Sequence, residues 1–412
     1  MNTVNNVRRV LILVENLPSP FDRRVWQEAT ALRDAGYTVS IICPTGLGCE
    51  KKFEAIEGIH IWRYDLPMEG EGAKGYAIEY AVALLWTCIL AWRVLFTRGF
   101  DVIHACNPPD LFFLIGRFFK LFGKKFIFDH HDINPELYEA KFGRRDRLYR
   151  LLLKLERWSF RTADVSIATN ESYRKIAIER GGMAPERVFV VRSGPSLGRM
   201  KVLPPDEALK SGRRYLVGYV GVMGNQEGID YLLQAARHIV FGLRRTDIHF
   251  GLIGGGTSLE QMKTLAADLG IAPFVTFTGR VPDDDLLAML NTADVCVNPD
   301  VANEMNDKST MNKIMEYMAL GKAIVQFDLA EGRYSAQHAS LYAKRNDPVD
   351  LAAKIVEVLD DPARRARMGQ FGRRRVEHEL EWRHEAPKLL AAYEALWCKP
   401  GASAATRGVA AP

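Results

Sequence analysis

Cysteine is scarce and scattered. The 412-residue chain holds six, Cys43, Cys49, Cys88, Cys106, Cys296 and Cys398, with no CxxC pair and no zinc-ligand spacing. That excludes a disulfide scaffold and a thiolate metal framework, leaving reduced thiols incidental to the fold. A membrane-length apolar run is also missing: the most apolar stretch, Tyr80–Trp92, falls short of the ~20 residues that cross a bilayer and reads as a buried or membrane-skimming helix. The leading MNTVNNVRR runs straight into the short strand Val10–Val14, with no signal-peptide core. Charge of one sign is in only mild excess, +5 net. This gives no case for nucleic acid and suits anionic small molecules or an anionic membrane surface.

What is present is a globular composition, 48% hydrophobic and 25% charged, on a length that fits two domains. Short apolar strands alternate with amphipathic helices. The first series is Val10–Val14, a helix over Asp22–Asp34 stopped by Gly36, Thr38–Cys43, Ile59–Tyr64, Asp101–His104, a helix over Leu111–Phe122, Lys125–Asp129, Val165–Thr169 and Val188–Arg192. A Pro-, Gly- and charge-rich linker follows. The second series is Leu216–Val220, helix Ile229–Val240, His249–Ile253, helix Leu259–Leu269, Val275–Thr278, helix Leu286–Asn291, Val295–Asn298, helix Lys313–Ala319, Ala323–Phe327 and helix Val349–Leu359. Apolar strands alternating with helices predict two doubly wound α/β domains, 1–195 and 215–380, joined by a linker over 196–214. Trp382–Trp397 predicts a late helix (381–398) that Pro387 breaks or starts, and 399–412 reads as a disordered tail. Ligands in paired domains of this kind sit at strand carboxyl ends, in the cleft between them.

Several segments carry chemistry at those ends. Gly254-Gly255-Gly256 closes one strand and opens a helix, a turn that lets backbone N–H groups approach a phosphate or simply turns the chain. Lys308-Ser309-Thr310-Met311-Asn312-Lys313 is a polar loop running into a helix. Its hydroxyls and first N–H groups can hold a diphosphate, its lysines can neutralise it, and Glu316 can accept from ribose hydroxyls. The bland alternative is a solvated helix start with Glu316 paired to Lys313. Asp129-His130-His131-Asp132 follows a strand, which places His131 at the cleft, either as a catalytic group or as a structural hydrogen-bonded pair with Asp132. The segment Asn16 to Val25 follows the first strand. Asn16, Asp22, Arg23 and Arg24 are contacts for diphosphate or acceptor, unless the two arginines are ordinary exposed helix charges. Asp283-Asp284-Asp285 does not converge readily on one ion and reads as a helix start, so no metal is expected.

The block MEYMALGKAIV resembles the donor-binding segment of glycosyltransferase family 4, Glu, seven residues, Glu, ending EAMA-x-G-x-P-V-V. Glu316 falls on the second glutamate, and Lys308 stands where the family has the first. Tyr219-Val220-Gly221 with Gly228-Ile229-Asp230-Tyr231-Leu232-Leu233 resembles a further family turn, with Val222 and Glu227 in place of its usual Arg and Lys. Phe277–Val281 and Ala293–Val295 also fit, so the resemblance spans about Arg9 to Tyr393. It implies a metal-free, cofactor-free GT-B transferase of the retaining type. His131 would stand beside the reacting sugar, and Glu316, Lys308, Asn312, Lys313, Arg280 and the Gly254–Gly256 turn would bind the donor. Lys308, Lys313 and Arg280 would replace the missing positive charge.

The reaction implied is sugar transfer from a nucleoside diphosphate sugar to a hydroxyl of a lipid-linked glycan in surface polysaccharide biosynthesis. Two competitors remain: a sugar-nucleotide 2-epimerase of the same fold, and a catalytically silent subunit of a polysaccharide assembly complex. Aromatics and bases mix over Leu111–Lys125 and Arg144–Arg161. They are core faces with solvated charges, or a surface for the inner membrane, which is the expected partner of a cytoplasmic, peripheral enzyme.

Overall fold

A computed structural model describes residues 8–66 and 72–398. The expected tail and the first seven residues lie outside the described residues.

The first domain is one eight-stranded sheet. Its strands are β1 (Arg9–Leu13), β2 (Thr38–Pro44), β3 (Phe53–Ile56), β4 (Ile59–Tyr64), β5 (Val102–Cys106), β6 (Lys125–His130), β7 (Val165–Ala168) and β8 (Val188–Val190). The order is β3-β4-β2-β1-β5-β6-β7-β8, parallel except for β3 against β4. Side chains alternate across the pleat. Val10 and Ile12 therefore pack with the Arg23–Asp34 and Trp382–Ala395 helices, while Leu11 and Leu13 pack with the Gly72–Thr97 and Phe113–Lys120 helices. The second domain is a six-stranded parallel sheet of β9 (Tyr215–Val220), β10 (Ile248–Ile253), β11 (Val275–Gly279), β12 (Val295–Asn298), β13 (Ala323–Phe327) and β14 (Ser340–Ala343), ordered β11-β10-β9-β12-β13-β14. Strand order reverses at β1 and at β9. The loops leaving the sheets there open crevices of the kind that hold ligands.

Most expected strands appear within a residue or two; the differences have local causes. The strand β3 was not expected. Glu57 and Gly58 both adopt positive φ, 50° and 83°, the geometry of a two-residue hairpin turn, and this folds Phe53–Ile56 back onto β4. Helices over Asn134–Phe142 and Arg147–Thr162 also emerge. Gly143 at φ 66° ends the first, and Asp146 caps the second by accepting from Leu148 N at 2.9 Å. Pro387 does not break the last helix, which runs Trp382–Ala395 through it. That helix returns to the first domain, where Tyr393 OH lies 2.7 Å from His104 Nδ1.

Two segments take a more definite form than their sequence alone suggests. The 196–214 linker is no free spacer: Met200 is buried among second-domain residues, and Leu203 N and Asp206 N donate to Asn291 and Thr292. The apolar stretch at Tyr80–Trp92 is part of a longer helix, Gly72–Thr97. Of this, Ile78–Thr97 is apolar and long enough to cross a membrane by length and composition, and 28% of it is buried. Ala83, Ala91 and Val94 are buried in the first domain's core, so one face of this helix is committed to the protein.

Candidate active site

The two sheets' loops meet around a cavity of about 290 Å³, within the usual range for small ligands once open solvent is added. Asp22, Arg24, His131, Asp132, Thr169 and Tyr173 line it from the first domain. Gln226, Glu227, Met305, Asn306 and Ser309 to Asn312 line it from the second.

On the first-domain side the organising group is Asp129, fully buried near the end of β6. Its Oδ1 accepts from Arg24 Nη2 at 3.0 Å, and its Oδ2 lies 2.6 Å from His131 Nε2 and 3.1 Å from His104 Nε2. Burial alone would raise this carboxyl. Arg24 and the histidines outweigh it and hold Asp129 well below the usual carboxylate range. Glu28, one turn along the helix from Arg24 and 3.0 Å from the same guanidinium nitrogen, goes the other way: burial raises it well above its ordinary value. Burial likewise lowers His104. Arg24 is thus the guanidinium that both Asp129 and Glu28 face.

Arg24 is only 8% exposed, which corrects its reading as an ordinary exposed charge. Its Nε also lies 2.9 Å from His131 Nε2 and its Nη1 donates to Val191 O. His131 is paired with Asp129 rather than with the adjacent Asp132. Asp132 lines the cavity, and burial raises its carboxyl. Donor atoms of Glu28, Cys106, Asp129 and His131 come within 4.8 Å of one another, a spacing that a metal ion can use. The Arg24 guanidinium already stands within 3.0 Å of both carboxylates, so the chain supplies a cation there itself.

The second-domain side is the loop before the Asn312–Ala319 helix. Met311, at the cap position, contributes no side-chain acceptor, so the helix's first N–H groups lie uncapped at the cavity edge. That is a natural place for negative charge. Ser309 and Thr310 also reach across the cleft: Ser309 Oγ lies 3.0 Å from Tyr173 OH, and Thr310 Oγ1 accepts from Asn170 Nδ2 at 3.0 Å and Arg192 Nη1 at 3.3 Å. The domains are thus tied together at this loop.

The expected cations do not converge on the cavity. Lys313 Nζ donates to Glu227 Oε2 at 2.6 Å and Asp300 Oδ1 at 2.9 Å, and it lies over the Tyr219 ring. Burial lowers the lysine's affinity for its proton, but Asp300 and Glu227 more than restore it. Lys313 is charged and already matched, and not to Glu316. Lys308 pairs with Glu304 at 2.6 Å and approaches Glu136 of the first domain at 3.6 Å. Arg280 is exposed, over the Phe21 ring at 5.6 Å. Neither lines the cavity. Glu316 Oε1 instead meets Arg199 Nη1 at 3.0 Å and Arg23 Nη1 at 3.4 Å, and both arginines also hold Asp283. Asp283 thus serves an ion-pair network at a helix start. Asn16 is exposed, away from the cavity lining, whereas Asp22 lines it and caps its helix by accepting from Val25 N.

The glycine turn proves structural at two of its three positions. A Cβ on Gly254, at φ +134°, would stand 1.8 Å from Gly221 O, and one on Gly256 would stand 2.5 Å from Met223 O. Their missing side chains admit the neighbouring 221–223 turn. Gly255 has open space.

Sequence reasoning missed Asn107 and Arg199. Asn107 Oδ1 accepts from His131 N at 2.6 Å and Asp132 N at 3.2 Å, while its Nδ2 donates to Asp132 O at 2.7 Å and Asp110 Oδ1 at 2.9 Å. It fixes the turn that presents both cavity residues. The available signal was Asn107-Pro108-Pro109-Asp110 directly after a buried strand. Arg199 carried no signal, since it stands in a segment that reads as a spacer.

Comparison with known proteins agrees with this architecture. Residues 22–199 match Glycosyltransferase Family 4, and residues 214–361 match Glycosyl transferases group 1. A 2-deoxystreptamine glucosyltransferase of Streptomyces kanamyceticus is 27% identical over 257 residues, 59% of this chain and 64% of that protein; the chain thus spans less than two thirds of that relative's length. Sucrose-phosphate synthase from Thermosynechococcus elongatus superposes with a TM-score of 0.76 at 18% identity, over 95% of this chain and 99% of that one. Anabaena HepE, solved with UDP and glucose, superposes with a TM-score of 0.71 at 13% identity, over 94% and 100%. The chain thus has the GT-B fold, and its two halves are similar to Glycosyltransferase Family 4 over residues 22–199 and to the glycosyl transferases group 1 over residues 214–361.

Proposed function

We propose that the protein is a glycosyltransferase that moves a sugar from a nucleoside diphosphate sugar to a hydroxyl of a lipid-linked glycan, with retention and without a metal or other cofactor. The observation that carries this is the inter-domain cavity, with an oriented histidine and a carboxyl on one wall and an uncapped helix start with two hydroxyls on the other. The helix start and the Ser309 and Thr310 hydroxyls receive the diphosphate. The bond from anomeric carbon to phosphate oxygen breaks, the acceptor oxygen bonds to that carbon, its proton is released, and the nucleoside diphosphate departs. His131, steadied by Asp129, and Asp132 stand at the acceptor side. Closure of the two domains keeps out water, the competing acceptor.

Arg23 and Arg199 are further cations on which the diphosphate can draw, although, like Lys308, Lys313 and Arg280, they stand outside the cavity lining. These two guanidinium groups hold Glu316 and Asp283 at the domain junction, where the arriving donor competes for them. The location proposed is the cytoplasmic face of the inner membrane. The exposed side chains of the Arg147–Thr162 helix include Arg147, Arg150, Lys154, Arg157 and Arg161, and its one acid, Glu156, is fully buried. Such a face suits anionic headgroups.

A second reading, a silent subunit of an assembly complex, draws on the internal pairing of Lys313 and Glu316. Incubation with a panel of nucleoside diphosphate sugars separates the readings. Stabilisation by ~2.7 kcal/mol at 100 Kd of donor, with sugar released or transferred and the anomeric configuration kept, supports the transferase. Binding without turnover supports the silent subunit, product altered at C2 an epimerase, and no binding sinks the donor site.

A further inference from the structure

The first domain contains a second cavity, of about 340 Å³, that the chemistry above does not use. Leu111, Leu137, Leu148, Leu151, Leu152 and Leu155 dominate its wall, with Pro109, Asp110 and Asn134 at one end. The segment 131–134 separates it from the cleft: His131 and Asp132 line the cleft cavity, and Asn134 lines this one. The polar end is built. Asp110 is 4% exposed and accepts from Asn107 Nδ2 at 2.9 Å and Asn134 Nδ2 at 2.7 Å. Asn107 in turn holds His131 and Asp132. A largely apolar cavity thus includes in its lining Asp110, the hydrogen-bond partner of the Asn107 that holds His131 and Asp132.

Its surroundings say what fills it. Leu151 is 44% exposed and Phe142 is 38% exposed, so the wall continues onto the surface. The same domain also exposes Leu85, Trp86, Ile89 and Phe96 of the Gly72–Thr97 helix, Phe118 of the Phe113–Lys120 helix and Leu121 just past it. The three helices adjoin: Trp92 stacks against Phe96 and packs edge-on against Phe118, and Phe113 lies 5.8 Å from Trp158. Exposed large apolar side chains gathered on neighbouring helices mark an interaction surface. Two of these helices also carry Arg117, Arg147, Arg150, Lys154 and Arg157, all exposed. Apolar area accompanied by cations complements an anionic bilayer surface, with hydrocarbon below and phosphate at the level of the bases.

We propose that this leucine-lined cavity binds a hydrocarbon chain of a bilayer-resident, phosphate-bearing lipid, the carrier of the acceptor, and thereby feeds the acceptor's head toward Asn107 and His131. This rests on the transferase reading only for the lipid's role as acceptor; the cavity's ligand class stands on its own lining.

The test uses the full chain with monoalkyl phosphates of eight, ten and twelve carbons below their micellar concentrations, beside inorganic phosphate and UDP. Affinity should rise about three- to fourfold for each added methylene until the cavity is full, and inorganic phosphate should give no response. Leu152→Trp, which fills the cavity, and Leu137→Trp on the opposing helix should each weaken ten-carbon binding at least tenfold while the melting-temperature shift with UDP remains. Leu121→Glu, on the outer face, should leave alkyl phosphate binding intact but weaken sedimentation with vesicles of three parts phosphatidylcholine to one part phosphatidylglycerol. Affinity independent of chain length, or unaltered in both tryptophan variants, overturns the proposal. A UDP response without an alkyl response defeats the cavity alone, and the reverse pattern defeats the donor reading and leaves the cavity standing.

Discussion

Each domain buries a base among acids at its strand ends, and the two clusters work differently. In the first domain Arg24 neutralises Asp129, and Asp129 also meets His131, which lines the cavity. In the second, Lys313 is enclosed by Glu227 and Asp300 under the Tyr219 ring. The first cluster orients a functional group toward the ligand space; the second satisfies itself. A base at a strand end is therefore not by itself a phosphate site. Its own carboxylates decide whether any charge is left over.

The contrast can be broken from its strongest element downward. Replacing Asp129 with alanine leaves Arg24 buried without its anion and should cost about 3–5 kcal/mol in denaturant unfolding; a smaller loss would mean that Glu28 takes over the pairing. Glu15, just past β1, provides the opposite case within the same domain. Burial, and then the neighbouring Glu79, push it up to about 8 from an ordinary 4.5. A carboxyl raised on folding contributes its full stability below the ordinary value, and that contribution drains away as pH rises toward about 8. Glu15→Gln should therefore flatten the pH dependence of the melting temperature. It should gain about 2–4 kcal/mol at pH 8 and nothing at pH 4.

His131→Ala should lower sugar transfer ~100-fold or more while the fold survives; equal turnover would reduce His131 to a structural partner of Asp129. In the second domain, a cycle of Lys313→Met, Glu227→Gln and the double variant should show coupling of about 1–3 kcal/mol in stability. Donor affinity should fall less in the double variant than in Lys313→Met alone, since one of the two uncompensated acids goes with the lysine. Lys308→Glu should alter donor affinity least, under about twofold, because its side chain pairs with Glu304 outside the cavity. A tenfold loss in that titration would return Lys308 to the donor site.

The domain class was legible because buried parallel strands advertise themselves: a run such as Val10–Val14 is apolar on both faces, as only a sheet covered on both sides requires. The edges were harder. The strand β3 depends on a two-residue turn at Glu57-Gly58 whose positive φ values carry a weak signal, and β14 is only partly buried. Asp22, His131, Asp132 and Ser309 to Asn312 were readable at the site because strand ends and helix starts are local features. Lys313 was misplaced because its acids, Glu227 and Asp300, stand on other segments of the chain, and Lys308 because its helical neighbour Glu304 claims it. Arg199 was invisible for the reason that misplaced Lys313: nothing within the linker shows that it folds against Glu316.

Pattern along the chain was sufficient to set two α/β halves, the strands that reverse their order, and the loops that leave those strands, because periodicity and turn chemistry act over a few residues. Which carboxylate meets which base, whether a glycine yields to a ligand or to its own backbone, and how an apolar cavity comes to be lined by Asp110 beside Asn107 were decided only when distant segments packed, since Coulombic pairing and exclusion of water depend on distances that exist only in three dimensions.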